Sequence, residues 1–369
     1  MQKGQNLQAF FAEKIDHLQE TYLQGQRVWA VGVSGGADSL ALIYLLAEEA
    51  QKYNAQVVAL TVDHRLRKES TDEALYVGQQ MAKAEIEHHI LTWQGQKPQK
   101  GIEEAAREAR YALLADWCQK NGVEVLFLAH HQKDQAETFL MRLQRGSGVD
   151  GLAAMQEASE RQNMMLLRPL LDVSPSELKK YLQEQKIAWV EDPSNFEDDY
   201  LRVRVRKLLP ELDERIELSE KRLAATAKRM GQVRDYLESQ QNAFIEMEVS
   251  FVEDLGCCFL PQNWQRLHLE MRLRVLAALL KKIGGHIYPP RLEETERLSC
   301  AMMKNNFKGR TLAGCEIFYF DKKIWVIKES QNDMVLSRQQ WEDFVACHLE
   351  YQKNLLPYKL RQVLVLNQK

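Results

Sequence analysis

Val33-Ser34-Gly35-Gly36-Ala37-Asp38-Ser39 lies between an apolar run and an amphipathic one. Ser34, Gly35 and Gly36 can turn tightly and present backbone N–H groups. From Ala37 and Asp38 onward the next helix adds its unpaired N-terminal N–H groups and the positive end of its dipole, which makes a cradle for phosphate. Two familiar cradles do not fit. A P-loop needs G-x-x-x-x-G-K-[ST], and no glycine–lysine pair follows Gly32 at that spacing. A dinucleotide fingerprint needs G-x-G-x-x-G, which Gly32, Gly35 and Gly36 do not make. What remains is S-G-G-x-D-S, in which no lysine supplies charge and the carboxylate of Asp38 sits inside the cradle. An acid beside phosphates makes chemical sense when it holds Mg²⁺. The plain alternative is an acid in the first turn of a helix.

Further along, Asp134 and Glu137 are three residues apart at the start of a helical stretch and share one face. Such a pair can hold an ammonium, or simply complement the helix dipole. The adjacent His130 and His131 suggest a metal site with Asp134, but a histidine cluster needs a third close ligand. Asp63 stands at the carboxyl end of a strand-like run, where it contacts a nucleotide or metal, or else caps a loop. Arg107, Arg110 and Tyr111 lie on one helical stretch. Arg110 either stabilises charge developing on phosphate or pairs with Glu103 or Glu104 on the helix surface. Arg202, Arg204, Arg206 and Lys207 open a stretch to Arg234 with ten Lys/Arg and five acids, while Glu191–Asp199 carries five acids and no base. The stretch reads as a solvated helix or as a phosphate-contacting stripe, which would position a nucleic acid without reading its sequence.

These residues need a scaffold, and the first half of the chain supplies an alternating one. Strand patterns at Arg27–Val33, Gln56–Val62, Glu87–Thr92 and Glu124–Ala129 are each followed by a helical pattern: Asp38–Tyr53, Ser70–Ala84, Ile102–Asn121 and Lys133–Arg145. Ser70 with Glu73 has capping-box spacing, and Gly122 is a helix stop. The order predicts an α/β fold with a doubly wound, mostly parallel sheet. Met164–Leu167 reads as a strand, Ser174–Gln185 as a Ser-capped helix and Ile187–Val190 as a short strand. From Leu201 the chain reads as helical and charge-rich. After Pro289–Pro290 come a helix, Arg291–Met303, and strands within Gly309–Val326. The expected division is a catalytic domain over 1–212, a helical domain over 213–288 and a small α+β part over 289–369, in which the tail from Gln340 is uninformative.

Composition removes several function classes. The net charge is −3, so any nucleic-acid site is a local patch. The six cysteines never form C-x-x-C, which argues against a zinc ribbon, a redox dithiol or a disulfide framework. No apolar run approaches the ~20 residues that span a bilayer, and the N-terminus has an amphipathic pattern rather than a signal peptide's. The expectation is a cytoplasmic protein with no membrane partner.

With S-G-G-x-D-S in place, the chain resembles the PP-loop ATP pyrophosphatases, which cleave ATP between the α- and β-phosphates and adenylate a substrate. Further motifs narrow the likeness: Asp63-His64-Arg65-Leu66-Arg67, Ala106–Tyr111, Ala129–Thr138, Arg145-Gly146-Ser147-Gly148, Arg168-Pro169-Leu170-Leu171, Asp192-Pro193-Ser194-Asn195 and Arg202–Pro210. Together they are similar to the tRNA(Ile)-lysidine synthetase family, closely from Arg27 to Pro210 and more weakly beyond. The resemblance implies ATP-dependent ligation of lysine to C2 of the wobble cytidine of an isoleucine tRNA with a CAU anticodon. The reaction passes through an adenylated tRNA and releases AMP and pyrophosphate, and the product lysidine shifts decoding from AUG to AUA.

The same resemblance implies that ATP and Mg²⁺ are the cofactors, and L-lysine and the tRNA the partners. Ser34, Gly35, Gly36, Ala37, Asp38, Ser39 and Asp63 would bind the nucleotide, with Asp38 on the metal. Arg110 would be catalytic, Asp134 and Glu137 would hold lysine, and Arg202, Arg204, Arg206 and Lys207 would meet tRNA or ATP phosphates. A homodimer stays open. A tRNA thiolase of the same superfamily would usually need cysteine pairs, and an amidotransferase a glutaminase domain or partner. A catalytically dead RNA-binding module would show a damaged loop motif. Family members often carry a further C-terminal domain, whereas only forty residues follow Glu329 here.

Overall fold

Trp29 and Val31 pack to one side of a strand and Ala30 to the other, all fully buried. A strand covered on both faces belongs in the middle of an α/β sheet, and that is where the computed structural model places it. The structure describes residues 6–329 except 67–68, 96, 99–100, 191–200, 253–254, 287, 305–306 and 321. The chain divides into two compact units, 1–234 and 235–369.

The first unit runs α1 (Leu7–Thr21), β1 (Val28–Gly32), α2 (Ala37–Ala50), a 3₁₀ turn (Gln51–Tyr53), β2 (Gln56–Asp63), α3 (Glu69–Lys83), β3 (Glu87–Thr92), α4 (Ile102–Lys120) and β4 (Val125–Phe127). It continues with α5 (Gln132–Gln144), α6 (Val149–Leu152), β5 (Ala158–Arg161), β6 (Met164–Leu167), α7 (Pro175–Glu184) and α8 (Leu201–Ile216), and α9 (Glu220–Glu248) crosses into the second unit. The sheet order is β3-β2-β1-β4-β6-β5. Every pair is parallel except β5 against β6, so β5 forms an antiparallel edge that the sequence patterns did not reveal. The order reverses between β1 and β4, and such a switch point is where open α/β sheets bind ligands.

One face of the sheet is covered by α1, α2 and α7, through Phe11, Ile15, Leu40, Ile43, Leu178 and Leu182 among others. The other face is covered by α4 through Tyr111, Leu114 and Cys118. Besides the expected stripe of Leu40, Leu42, Ile43, Leu46 and Ala50, α2 buries Ala41, Leu45 and Glu49. That helix is enclosed almost all round, because α1 and α7 flank it on the sheet. α7 is fixed at its start by a capping box. Ser174 Oγ accepts from the Glu177 N–H at 3.3 Å, and Glu177 Oε2 accepts from the Ser174 N–H at 3.0 Å.

The second unit contains β7 (Val249–Val252), β8 (Gly256–Phe259), α10 (Pro261–Arg266), α11 (Leu269–Gly284), α12 (Leu292–Met302), β9 (Arg310–Leu312), β10 (Cys315–Phe320) and β11 (Lys323–Lys328). The strands form an antiparallel sheet in the order β7-β8-β11-β10-β9. Leu276, Leu279 and Leu280 of α11 pack on it with Trp264 and Leu298.

Three expectations are corrected. Ile187–Val190 is not a strand: the Val190 N–H bonds Gly35 O at 3.1 Å, so the segment is tied to the loop after β1 instead of a sheet edge. Ser70 is not a cap, because α3 already includes Glu69 and the Ser70 hydroxyl is spent on Asp63. The helical stretch after Leu201 is interrupted by β7 and β8, short strands that pair with each other, β8 also pairing with β11 far along the chain. The acidic run Glu191–Asp199, the Asp192–Asn195 motif, Arg67 and the tail from Gln340 lie outside the described residues.

Ser174→Ala removes one half of the α7 capping box and is expected to cost about 0.5–2 kcal/mol of stability. Urea denaturation measures it, and an unchanged midpoint would contradict the cap.

Candidate active site

β1 ends at Gly32, where an added Cβ would lie 3.2 Å from Leu128 Cδ2 and 3.6 Å from Arg110 Nη2. The bare backbone lets the Arg110 guanidinium come close to the strand end. Val33 N–H still bonds Leu60 O at 2.9 Å, and then the chain leaves the sheet. The loop is closed by Ser39, whose Oγ accepts from the Ser34 N–H at 3.1 Å and donates to Gly36 O at 3.0 Å. Gly35 has φ +85°, and an added Cβ would meet Val77 Cγ2 at 2.9 Å, so both conformation and space call for glycine. Gly36 is the N-cap of α2 and offers no side-chain cap. The first N–H groups of α2 are thereby left for an outside acceptor, which suits an anion.

Across the switch point, β4 leads to α5, whose N-cap is His131. His131 Nδ1 accepts from the Asp134 N–H at 3.4 Å, and Asp134 Oδ2 accepts from the His131 N–H at 3.1 Å. On the other side of the same ring, Nε2 stands 3.3 Å from Asp38 Oδ2. One imidazole therefore touches the acid of the α2 loop and the acid of the α5 turn. Burial disfavours the imidazolium. The hydrogen bond to Asp38 and the charges of Asp134, Asp38 and Glu137 outweigh that, and the His131 pKa lies above the ordinary histidine value. For Asp134, burial opposes ionisation, but His131, His130, the His131 N–H and Arg202 hold its carboxyl below the usual range. The spacing of a side-chain acceptor three residues before an acid was the one signal that could have marked His131 as a cap.

Glu137 lies on the same helix face and is completely buried. Arg206 donates to it through Nε at 2.7 Å and Nη2 at 3.4 Å, and Arg202 Nε lies 3.4 Å away. A buried carboxylate needs such partners. The i,i+4 spacing of Arg202 and Arg206 puts both on one face of α8, and the 202–207 basic cluster is divided accordingly. Arg202 and Arg206 turn toward Glu137, whereas Arg204 and Lys207 are exposed.

Asp63 is 2% exposed, and the turn it begins occupies both its oxygens. Ser70 Oγ and the Arg65 N–H donate to Oδ1 at 2.7 and 2.9 Å, and Thr71 Oγ1 donates to Oδ2 at 2.8 Å. Burial raises its pKa, but these donors and the Arg65 charge outweigh that and hold it below the usual carboxylate range. Arg110 is desolvated, which with the neighbouring Arg107 charge lowers its pKa against an opposing pull from Tyr111, and among the described residues no acceptor pairs with it. His64 Nδ1 and His130 Nδ1 are buried without partners. Burial, only partly offset by Asp134 and reinforced by Arg168, Arg110 and Arg202, pushes His130 down to about 3, so it is a neutral ring. Arg168, marked in the sequence only as part of a motif, ties the end of β6 to the start of β5 by donating to Gln156 O at 2.9 Å and Ser159 Oγ at 3.0 Å. Among the described residues no three His, Cys, Asp or Glu side chains converge on a metal position.

Asp63→Asn turns an amide N–H₂ toward donors and is expected to cost about 1–3 kcal/mol at neutral pH. The folded pKa of Asp63 is depressed, so its contribution is present above the unfolded value of ~3.9 and is lost as pH falls through the folded value. The stability gap between wild type and variant should therefore narrow below about pH 4. Urea titrations from pH 7 to pH 3 measure this, and a constant gap would contradict it.

A PP-loop domain family matches residues 7–212. The tRNA(Ile)-lysidine synthase of Wolbachia pipientis wMel is 36% identical over 329 residues, which cover 86% of this chain and 76% of that protein. The protein of the same name from Ruegeria pomeroyi is 35% identical over 316 residues, 85% of this chain and 74% of its own length. That from Rhodopseudomonas palustris is 39% identical over 279 residues, 74% and 79%. With the S-G-G-x-D-S loop closed on a helix N-terminus at the switch point of a parallel sheet, the chain belongs to the PP-loop family and, within it, to the tRNA(Ile)-lysidine synthases.

Proposed function

We propose that the chain ligates lysine to C2 of the wobble cytidine of an isoleucine tRNA with a CAU anticodon, at the expense of ATP. The observation that carries this reading is the convergence on His131, whose ring lies between Asp38 of the phosphate cradle at 3.3 Å and Asp134 of the α5 turn at 3.4 Å. A nucleotide on one side and an ammonium on the other would thus be neighbours.

In the first step the cytidine O2 attacks the α-phosphorus, the bond to the β-phosphate breaks and pyrophosphate leaves. The N–H groups from Gly35 onward, at the N-terminus of α2, hold the phosphates. Arg110, unpaired among the described residues and beside the β1 end, faces the charge that builds on the α-phosphate and O2. Asp38 fits a hard cation: its side chain is 37% exposed, and Mg²⁺ is commonly held by one or two carboxylates together with substrate phosphates. When bound, Mg²⁺ supplies charge neutralisation on the leaving pyrophosphate. In the second step the lysine ε-amine attacks C2 and AMP departs. Asp134 and Glu137 bind the lysine as a cation, and it must shed a proton before attack. Arg204 and Lys207, exposed on α8, meet tRNA phosphates and set its register without reading bases. A tRNA substrate and ATP fit a cytoplasmic setting, and no helix among the described residues is long and apolar enough to cross a membrane.

Two substitutions separate the steps. Asp38→Asn is expected to abolish pyrophosphate release while tRNA binding stays within a few-fold. Asp134→Asn is expected to raise the KM for lysine by at least about tenfold, since truncating one partner of a buried charge pair costs 2–5 kcal/mol and 1.4 kcal/mol is tenfold. Pyrophosphate release in that variant should change much less. Near-normal turnover of Asp38→Asn at saturating Mg²⁺, or an unchanged lysine KM in Asp134→Asn, would remove that residue from its role.

A further inference from the structure

Glu137 poses a problem for any site that uses it. Its carboxylate has no exposed surface, and the fork of Arg206 already holds it at 2.7 and 3.4 Å, with Arg202 at 3.4 Å. A lysine ammonium cannot reach Glu137 without displacing a guanidinium, and the Arg206 guanidinium, whose side chain is 29% exposed, is best re-paired by another anion whose oxygens match its fork. The group best suited to receive it is close by. Glu137 follows Asp134 by three residues on the α5 face, Asp134 touches His131, and His131 touches Asp38 of the phosphate cradle. The field at Arg206 already includes Asp38 and Asp134 as well as Glu137. A polyphosphate on the Ser34–Ser39 loop would bring several negative charges into the same neighbourhood, and guanidinium binds phosphate in the same forked geometry as carboxylate.

We propose that Arg206 is a positioning residue that occupies Glu137 in the free enzyme and moves to the nucleotide phosphates when ATP binds, so that the lysine site opens only once the nucleotide is in place. The exchange rests on the functional reading above and adds an order to it. Lysine and nucleotide are then positively coupled, and the coupling is reciprocal. Such an order also keeps lysine from blocking the crevice before there is an adenylated base to attack.

The test is calorimetric titration of the full chain with L-lysine, alone and with saturating Mg²⁺ and α,β-methylene-ATP, whose α–β link cannot be cleaved. The expected result is lysine binding tighter with the nucleotide by about 5- to 150-fold, and nucleotide binding tighter with lysine by the same factor. In Arg206→Gln, lysine affinity without nucleotide should rise and the ratio fall toward one. A merely structural role would weaken both states and leave the ratio unchanged. Equal affinity in the two states of the wild type overturns the exchange, whether or not the variant folds, and so does an undiminished ratio in Arg206→Gln. Lysidine formation by the wild type, followed by mass spectrometry of tRNA digests, tests the underlying reading separately. Its absence overturns that reading and the exchange together, whereas lysidine formation with a ratio near one overturns the exchange alone.

Discussion

The contact of His131 with Asp38 and Asp134 is the constraint on which the site depends. Two helices, α2 and α5, start at the carboxyl ends of β1 and β4, the strands between which the sheet order reverses. Their N-termini point positive dipole ends at one crevice, and each carries an acid in its first turn. Dipoles of that sense attract negative charge, and an imidazole set between the two acids ties the two turns together. The cradle proposed for the nucleotide and the carboxylate proposed for lysine are thereby held at a fixed separation by a residue that must also cap α5.

The rigidity behind this comes from packing. α2 cannot shift, because it is enclosed by the sheet, α1 and α7, with Leu40, Leu42 and Ile43 fully buried. α5 is anchored by Ala136 and Phe139 against Leu209 of α8 and Leu223 and Ala227 of α9. The polar interior is built as paired groups laid over these cores. Asp63 is satisfied by its own turn and Glu137 by α8. Among the buried side-chain atoms without a hydrogen-bond partner is His130 Nδ1, whose ring feels the charges of Asp134, Arg110 and Arg202.

Much of this was legible in the sequence, because it depends on local patterning. The S-G-G-x-D-S turn, the strand-helix alternation and the Ser174 cap are short-range signals, and the structure places each where its pattern lies. What the sequence could not reveal depends on distant partners. Ser70 looked like a helix cap because its spacing to Glu73 was right, but Asp63, seven residues earlier, competes for its hydroxyl. Ile187–Val190 has strand-like residues, but its N–H group goes to Gly35, more than a hundred positions away. Arg202 and Arg206 read as part of a basic stretch, either a solvated helix or a phosphate-contacting stripe, since nothing nearby in sequence announces Glu137 as their partner. β7 and β8 are four residues each and join the sheet through the pairing of β8 with the distant β11.

The central claim is that one imidazole aligns the sites of both half-reactions, and His131→Asn tests it most directly. Asparagine still caps α5, so the fold should persist, but its shorter side chain cannot touch Asp38 and Asp134 together. Pyrophosphate release measured with tRNA but without lysine, and the lysine KM measured in the complete reaction, should both worsen in a variant whose urea midpoint is little changed. Wild-type values for both quantities in a folded His131→Asn protein would contradict the account.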